Sequence, residues 1–170
     1  MSSVTQTVKG SALDVLRQIR RQVENGKSYV KVGVMGQDSK KSKTRQADES
    51  NKRGPTNVEL AIWHEYGTRT APERSFLRST MKRNAVAYAT FLGANIHLVI
   101  QKKRKLEQLL NALGAKAAAD VKNTIRQGIP PPNSPETIRR KGSSKPLIDT
   151  GQLVNSITWI VQTVKGTVKL

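Results

Sequence analysis

The chain contains no cysteine, only two histidines, few acidic residues and no long hydrophobic run. Without cysteine there are no disulfides, thiolate metal sites or thiol nucleophiles, a composition that suits assembly in a reducing cytoplasm. Two histidines cannot supply a multi-histidine metal centre within one chain. No apolar stretch approaches the roughly 20 residues needed to span a bilayer. The opening MSSVTQTVKG has no long apolar core, so neither secretion nor membrane insertion is expected. Aromatic residues are scarce at 4%. At 170 residues the chain is expected to form one domain with a buried core.

What the chain has in excess is positive charge: 30 Lys and Arg against 12 Asp and Glu, a net +18. Such an imbalance points to nucleic acid, acidic proteins or anionic surfaces as partners and says little about fold. The basic residues concentrate at Lys40, Lys41, Lys43, Arg45, Lys52 and Arg53, at Lys102, Lys103, Arg104 and Lys105, and at Arg139, Arg140 and Lys141. No aromatic residue interleaves with the lysine-rich runs, which argues against a base-stacking platform for single strands. The Gly36–Pro55 segment is polar and basic, and reads either as a solvated excursion or as an arm that orders on assembly. Lys102 to Lys105 reads as a solvated helix bend or a direct DNA contact.

Catalytic constellations are missing. His64-Glu65 resembles the start of a zinc-protease helix, but Thr68 stands where the second histidine is required. Those two residues are better explained as packing the helix end and its Gly67 turn, through hydrogen bonds to nearby backbone. Gly26-Lys27-Ser28 mimics the tail of a P-loop, yet Arg21 occupies the first glycine position and the sequence runs into a strand instead of a helix. Asp48 and Glu49 lie in the basic segment, Asp120 is isolated, and His97 sits among apolar residues as a packed or interface group. No enzyme activity, cofactor or metal is expected.

Hydrophobic spacing predicts an α+β architecture: a small antiparallel sheet against several helices, including a long helix or helical hairpin. Leu13, Leu16, Ile19 or Arg20, and Val23 mark a helix from a Ser11 cap to Asn25-Gly26. Tyr29 to Met35 alternates as a strand with one buried face. Thr56 and Glu59 have capping-box spacing, and Gly67 supplies a stop. Leu77, Met81, Ala85, Tyr88, Leu92, Ile96 and Val99 form one helical stripe, and Leu106, Leu110, Leu113, Ala117, Val121 and Ile125 form a second. One continuous helix would measure about 75 Å, far beyond a compact domain of this size, so a break is expected at Lys102 to Lys105. Ile157–Val164 and Thr167–Leu170 read as two closing strands around Lys165-Gly166.

The densest local instructions lie between Pro130 and Ile157. Pro130, Pro131 and Pro132 stop the preceding helix near Gln127-Gly128. Ser134 as N-cap, Pro135 at the first helical position, Glu136, then Arg139, Arg140 and Lys141 before Gly142 specify a short capped helix. Asp149 and Gln152 have capping-box-like spacing for another helical turn, with a tight loop at Thr150-Gly151 as the alternative.

This segment, PPPNSPETIRRKGSSKPLIDTGQLVNSI, resembles the phage virion-morphogenesis, or tail-completion, family, with its PPN-SP-TI-RKGSSKPLIDTG-L-SI pattern. Asp149, Thr150, Gly151 and Ser156 fall within it. An upstream block, ELAIWHEYGTRTAPERSFLRS, is similar to the same family's LA-IHE-G-P-R-FLR pattern through His64, Glu65, Gly67, Pro72, Arg74, Phe76, Leu77 and Arg78. Glu73, Ser75 and the Lys102–Lys105 run depart from it. The resemblance implies a structural virion protein of the neck or head-proximal tail end, tail-terminator-like, assembled in the host cytoplasm. It would complete the tail and mediate head–tail joining as a homo-oligomeric ring, commonly a hexamer. Connector or neck proteins, tail tube or sheath proteins and genomic DNA in the channel would be its partners, with no membrane. Composition alone keeps a second reading open, a sequence-nonspecific DNA-binding protein acting through Lys/Arg-rich loops.

Overall fold

The computed structural model describes residues 12–24, 28–35, 55–163 and 166–169. Lys40, Lys41, Lys43, Arg45, Lys52 and Arg53 therefore lie outside the described residues, as do Ser11, Val164 and Leu170. The elements are α1 (Ala12–Glu24), β1 (Tyr29–Val34), α2 (Asn57–Tyr66), α3 (Leu77–Ile100), α4 (Leu106–Gln127), α5 (Pro135–Lys141), α6 (Gln152–Ser156), β2 (Ile157–Thr163) and β3 (Gly166–Lys169). The strands form an antiparallel sheet in the order β1-β2-β3, so the architecture is α+β with helices packed on a small sheet. No helix among the described residues is long and apolar enough to cross a membrane.

Helix α4 organises the interior because it packs on the sheet and on α3 together. Its buried face is built from small and branched residues, Gly114, Ala117, Ala118, Val121 and Ile125. With Phe76, Ile129, Leu147, Leu153, Val154 and Ile157, the last three of these helix residues make the main core cluster. Small side chains bring the helix axis close to the strands, and this closeness is most acute at Gly114. A Cβ there would lie 2.3 Å from Trp159 Cδ1. The indole is held in place on β2 by its Nε1, which donates to Asn111 Oδ1 at 2.6 Å. The register Val30↔Val161, Val32↔Trp159 and Val34↔Ile157 then lines up the strand residues that α4 covers.

Helices α3 and α4 form an antiparallel hairpin, and the expected break occurs at residues 101–105. Neither Gly nor Pro makes the turn. Lys102 adopts a left-handed φ of 57° instead, and the amides of Lys103 and Arg104 both donate to the Leu98 carbonyl, at 2.9 and 3.0 Å. Along the hairpin the Thr80 and Thr124 hydroxyls share a buried 2.8 Å hydrogen bond, and Tyr88 donates to Asp120 at 3.0 Å. Burial, then that carboxylate, pushes the Tyr88 phenol up to about 12.

Three details depart from the sequence pattern. Ala85, placed in the α3 stripe, is exposed, whereas Thr80 is fully buried because its hydroxyl is satisfied by Phe76 O and Thr124. In α4 the deepest residue of the first turns is Leu109, not Leu106 or Leu110. His97 is exposed on α3 and is not a packed residue. Near the end of the chain both alternatives are half realised: a helical turn forms, but its N-cap is Gly151 at φ 76° and not Asp149.

Glycine lowers helix propensity by about 1 kcal/mol relative to alanine, so Gly→Ala within a helix ordinarily stabilises. Gly93 on α3, where a Cβ meets nothing within 4 Å, should follow that rule. Gly114→Ala is expected to cost about 1–3 kcal/mol through overpacking against Trp159. Chemical denaturation of the two variants should give changes of opposite sign.

Candidate functional site

The two sequence blocks that carry the family resemblance meet in space, and the meeting is built around one buried carboxylate. Thr56 caps α2 through the expected box, its hydroxyl accepting from Glu59 N while Glu59 accepts from Thr56 N at 2.7 Å. The helix then delivers Glu65 to its last turn and stops at Gly67, φ 74°. Only glycine fits here: a Cβ would stand 2.8 Å from Glu73 N, because the loop doubles back. Thr68 N donates to Ala71 O and Arg74 N donates to His64 O at 2.7 Å, which fixes that return.

The loop presents the start of α3 to Glu65. Helix α3 has Phe76 at its N-cap position, a residue with no side chain able to accept. Glu65 fills that role from another helix, accepting from Leu77 N and Arg78 N, both at 2.9 Å. Ser75 Oγ (2.8 Å) and Arg78 Nε (3.0 Å) complete its set of donors. A carboxylate at the positive end of a helix, paired with a guanidinium and carrying four hydrogen bonds, meets the conditions for burying a charge. Arg78 also donates to Glu65 O and Glu73 Oε1, and stacks 4.5 Å from the centroid of the Tyr66 ring. The hydrogen bonds to Glu65, then those to Glu73, raise its already high pKa. Glu73 and Ser75, which depart from the family pattern, are thus working members of the same network.

Arg74 ties this network to the proline segment. Buried to 7% exposure, it donates Nε to Pro131 O at 2.8 Å and Nη2 to Pro132 O at 3.1 Å. Desolvation lowers its pKa, as it must for a buried cation whose partners are neutral carbonyls. Beyond the prolines, Asn133 Nδ2 donates to Ser144 O at 3.4 Å, and Ser134 caps α5 by accepting from Thr137 N. Gly142 ends α5 at φ 67°. Phe76, at the mouth of α3, is packed into the main core cluster.

Most of these groups are engaged with one another. Glu65 is engaged by four hydrogen bonds, three on Oε1 and one on Oε2. His64 is enclosed with its Nδ1 buried and unpartnered. Burial first, then the nearby Arg74 and Lys141 cations, push its imidazole down to about 4. The constellation is a joint that sets the angles among α2, α3 and the Pro131–Ser144 segment.

The basic candidates fall apart into separate places. Lys102, Lys103 and Lys105 are exposed, and Arg104 half-buried, at the turn of the α3–α4 hairpin. Arg139 and Arg140 are exposed on α5, near the joint, at the other end of the hairpin about 35 Å away. Lys141 is not part of that exposed pair. It is half-buried toward His64, Arg74 and Asp149, with its pKa lowered chiefly by desolvation. Pro72, Asp149 and Thr150 are exposed, Gly151 is half-buried, and Ser156 closes α6 by donating to Leu153 O at 2.8 Å. Sequence reading identified Glu65 as a packing residue but not as the cap of a helix that begins twelve positions later. The signal available was negative, an α3 start lacking Ser, Thr, Asp or Asn at its cap. No family model, curated protein or solved structure matches the chain.

Removing the Glu65 carboxylate should leave the α3 amides and Arg78 uncompensated: Glu65→Ala is expected to cost about 3–5 kcal/mol and Glu65→Gln about 2 kcal/mol in urea denaturation. His64 gives a separate, pH-dependent signature. Its folded pKa lies below the unfolded value of about 6.5, so the unfolded chain binds a proton that the native protein excludes, and stability falls as pH drops from about 6.5 toward 4. Between pH 7 and pH 4.5 the wild type should lose about 2 kcal/mol more than His64→Gln.

Proposed function

We propose that the protein is a structural component of a phage virion, at the neck or head-proximal tail end, completing the tail and mediating head–tail joining as a ring. The observation that carries this reading is the convergence of the two family-like blocks. Glu59 to Arg78 and Pro130 to Ile157 are far apart in sequence, yet Arg74 binds the Pro131 and Pro132 carbonyls. Residues that resemble a morphogenesis signature thus build a rigid joint whose polar groups are spent on one another. That is what a protein working by shape requires. Connector or neck proteins on one side and tube or sheath proteins on the other are the partners this reading implies.

The exposed lysines of the hairpin turn give the reading its electrostatic side. Lys102, Lys103 and Lys105 stand at one end of a long hairpin, held there by backbone bonds to Leu98 and Val99. Copies arranged around an axis would concentrate these charges toward DNA in the channel or toward acidic surfaces of adjoining proteins. The same lysines favour the second reading, a sequence-nonspecific DNA-binding protein.

Particles made without the protein separate the two. Full heads beside detached tails, or tails of uncontrolled length, are the expected outcome, and normal infectious particles would overturn the virion reading. For the hairpin turn, the variant Lys102→Glu, Lys103→Glu, Lys105→Glu should reduce the slope of log K against log[salt] for duplex DNA by about 0.9 per lost phosphate contact, up to about 3. An unchanged slope would remove the turn from the DNA-contacting surface.

A further inference from the structure

The outer face of α3 is chemically unlike the rest of this chain. From Asn84 to Gln101 there is no Asp, Glu, Lys or Arg, in a protein that is 25% charged. Ala85, Val86, Ala89, Gly93 and Ala94 are all exposed within that stretch, Val86 to 79%. Ala85, Ala89 and Gly93 stand four residues apart in one row, and the space beyond Gly93 is open. Side chains this short leave a shallow trough along the helix, in which another chain can approach the backbone closely.

A second uncovered apolar surface has the opposite shape. On α2, Ile62, Trp63 and Tyr66 are exposed to 51%, 45% and 62%. They adjoin at helical spacing, and the two aromatic rings alone leave on the order of 200 Å² uncovered. The Tyr66 ring is held under the Arg78 guanidinium, so this knob is rigid at its base.

We propose that knob and trough are the two halves of a single contact between copies of this chain, the α2 aromatics of one copy seating on the α3 face of the next. Charge selects the occupant. At +18, two copies repel over most of their surface and approach most readily across faces of little net charge: the α3 face carries none, and Arg78 beside Tyr66 is paired with Glu65 and Glu73. A nucleic acid or an acidic protein would be drawn instead to Lys102–Lys105 or to Arg139 and Arg140. Size sets the symmetry: a bulky surface and a shallow one are complementary to each other, so the contact is heterologous and repeats from copy to copy until it closes. Only closure into a ring rests on the assembly reading above; the contact itself rests on exposure, shape and charge.

The test is sedimentation velocity of the full chain in 0.5 M salt, where the Debye length shrinks to roughly 4 Å and self-repulsion is screened. A knob variant carries Ile62→Asp and Trp63→Ser; a trough variant carries Ala89→Glu and Gly93→Glu. Circular dichroism melts confirm that each folds, with Tyr66→Ser and Val86→Glu as replacements for any that does not. The wild type should form a closed oligomer, each variant should be monomeric, and an equimolar mixture should stop at one-to-one dimers, because such a pair retains one intact contact. A wild type that stays monomeric at the highest concentration overturns the proposal. So does a variant that assembles like the wild type, or a mixture that remains monomeric. Normal particles made without the protein would sink the virion reading and leave this contact standing.

Discussion

The fold depends on one interaction made across elements: the Glu65 carboxylate of α2 capping the first amides of α3. An uncapped helix start leaves unsatisfied donors; Phe76, at the α3 N-cap position, offers no acceptor, and Ser75 Oγ takes only the Ser79 amide. Its beginning is therefore defined only when α2 is docked and the Gly67 loop has folded back. Phe76 enters the core at that same point, so capping and burial are achieved together. Arg74 extends the dependence to the proline segment, and through it to α5 and the last strands. Local unfolding of any one of these pieces leaves polar groups of the others unpaired, which makes the joint cooperative.

Where a structural decision is local, the sequence announces it. Thr56 and Glu59, Ser134 and Pro135, Gly67 and Gly142 each act within a few residues, through side chain, fixed φ or freedom at positive φ, and each appears where its neighbours dictate. The sheet was legible for the same reason, since alternation in Tyr29–Val34 and Ile157–Thr163 follows directly from strand geometry. Non-local decisions left fainter traces. Nothing in Gly114 alone tells that an indole from β2 will press on it, and Thr80 looks polar until Thr124 is seen opposite. The hairpin turn was found from the loss of apolar character, but its left-handed residue is a lysine, so no glycine marks it.

The separation of charge from shape is the other organising feature. Among the described residues, Lys102, Lys103 and Lys105 are exposed at the hairpin turn and Arg139 and Arg140 on α5, while the Asn84–Gln101 stretch of α3 carries no Asp, Glu, Lys or Arg. A strongly basic chain thereby keeps one uncharged stretch on its surface. The Lys141 side chain shows the opposite use of a cation. Half-buried beside Arg74 and His64, it contributes to the lowered His64 pKa instead of to an external surface.

The hairpin itself has a mechanical meaning. About 35 Å of helix separates the joint from the turn, and between them α4 is held on the sheet where Asn111 and Gly114 meet Trp159. A rotation of 5° at the joint would swing the lysine-bearing end by about 3 Å, the length of a hydrogen bond. The bonding around Glu65 and Arg74 and the seating of α4 against Trp159 together determine how accurately that far end can be aimed.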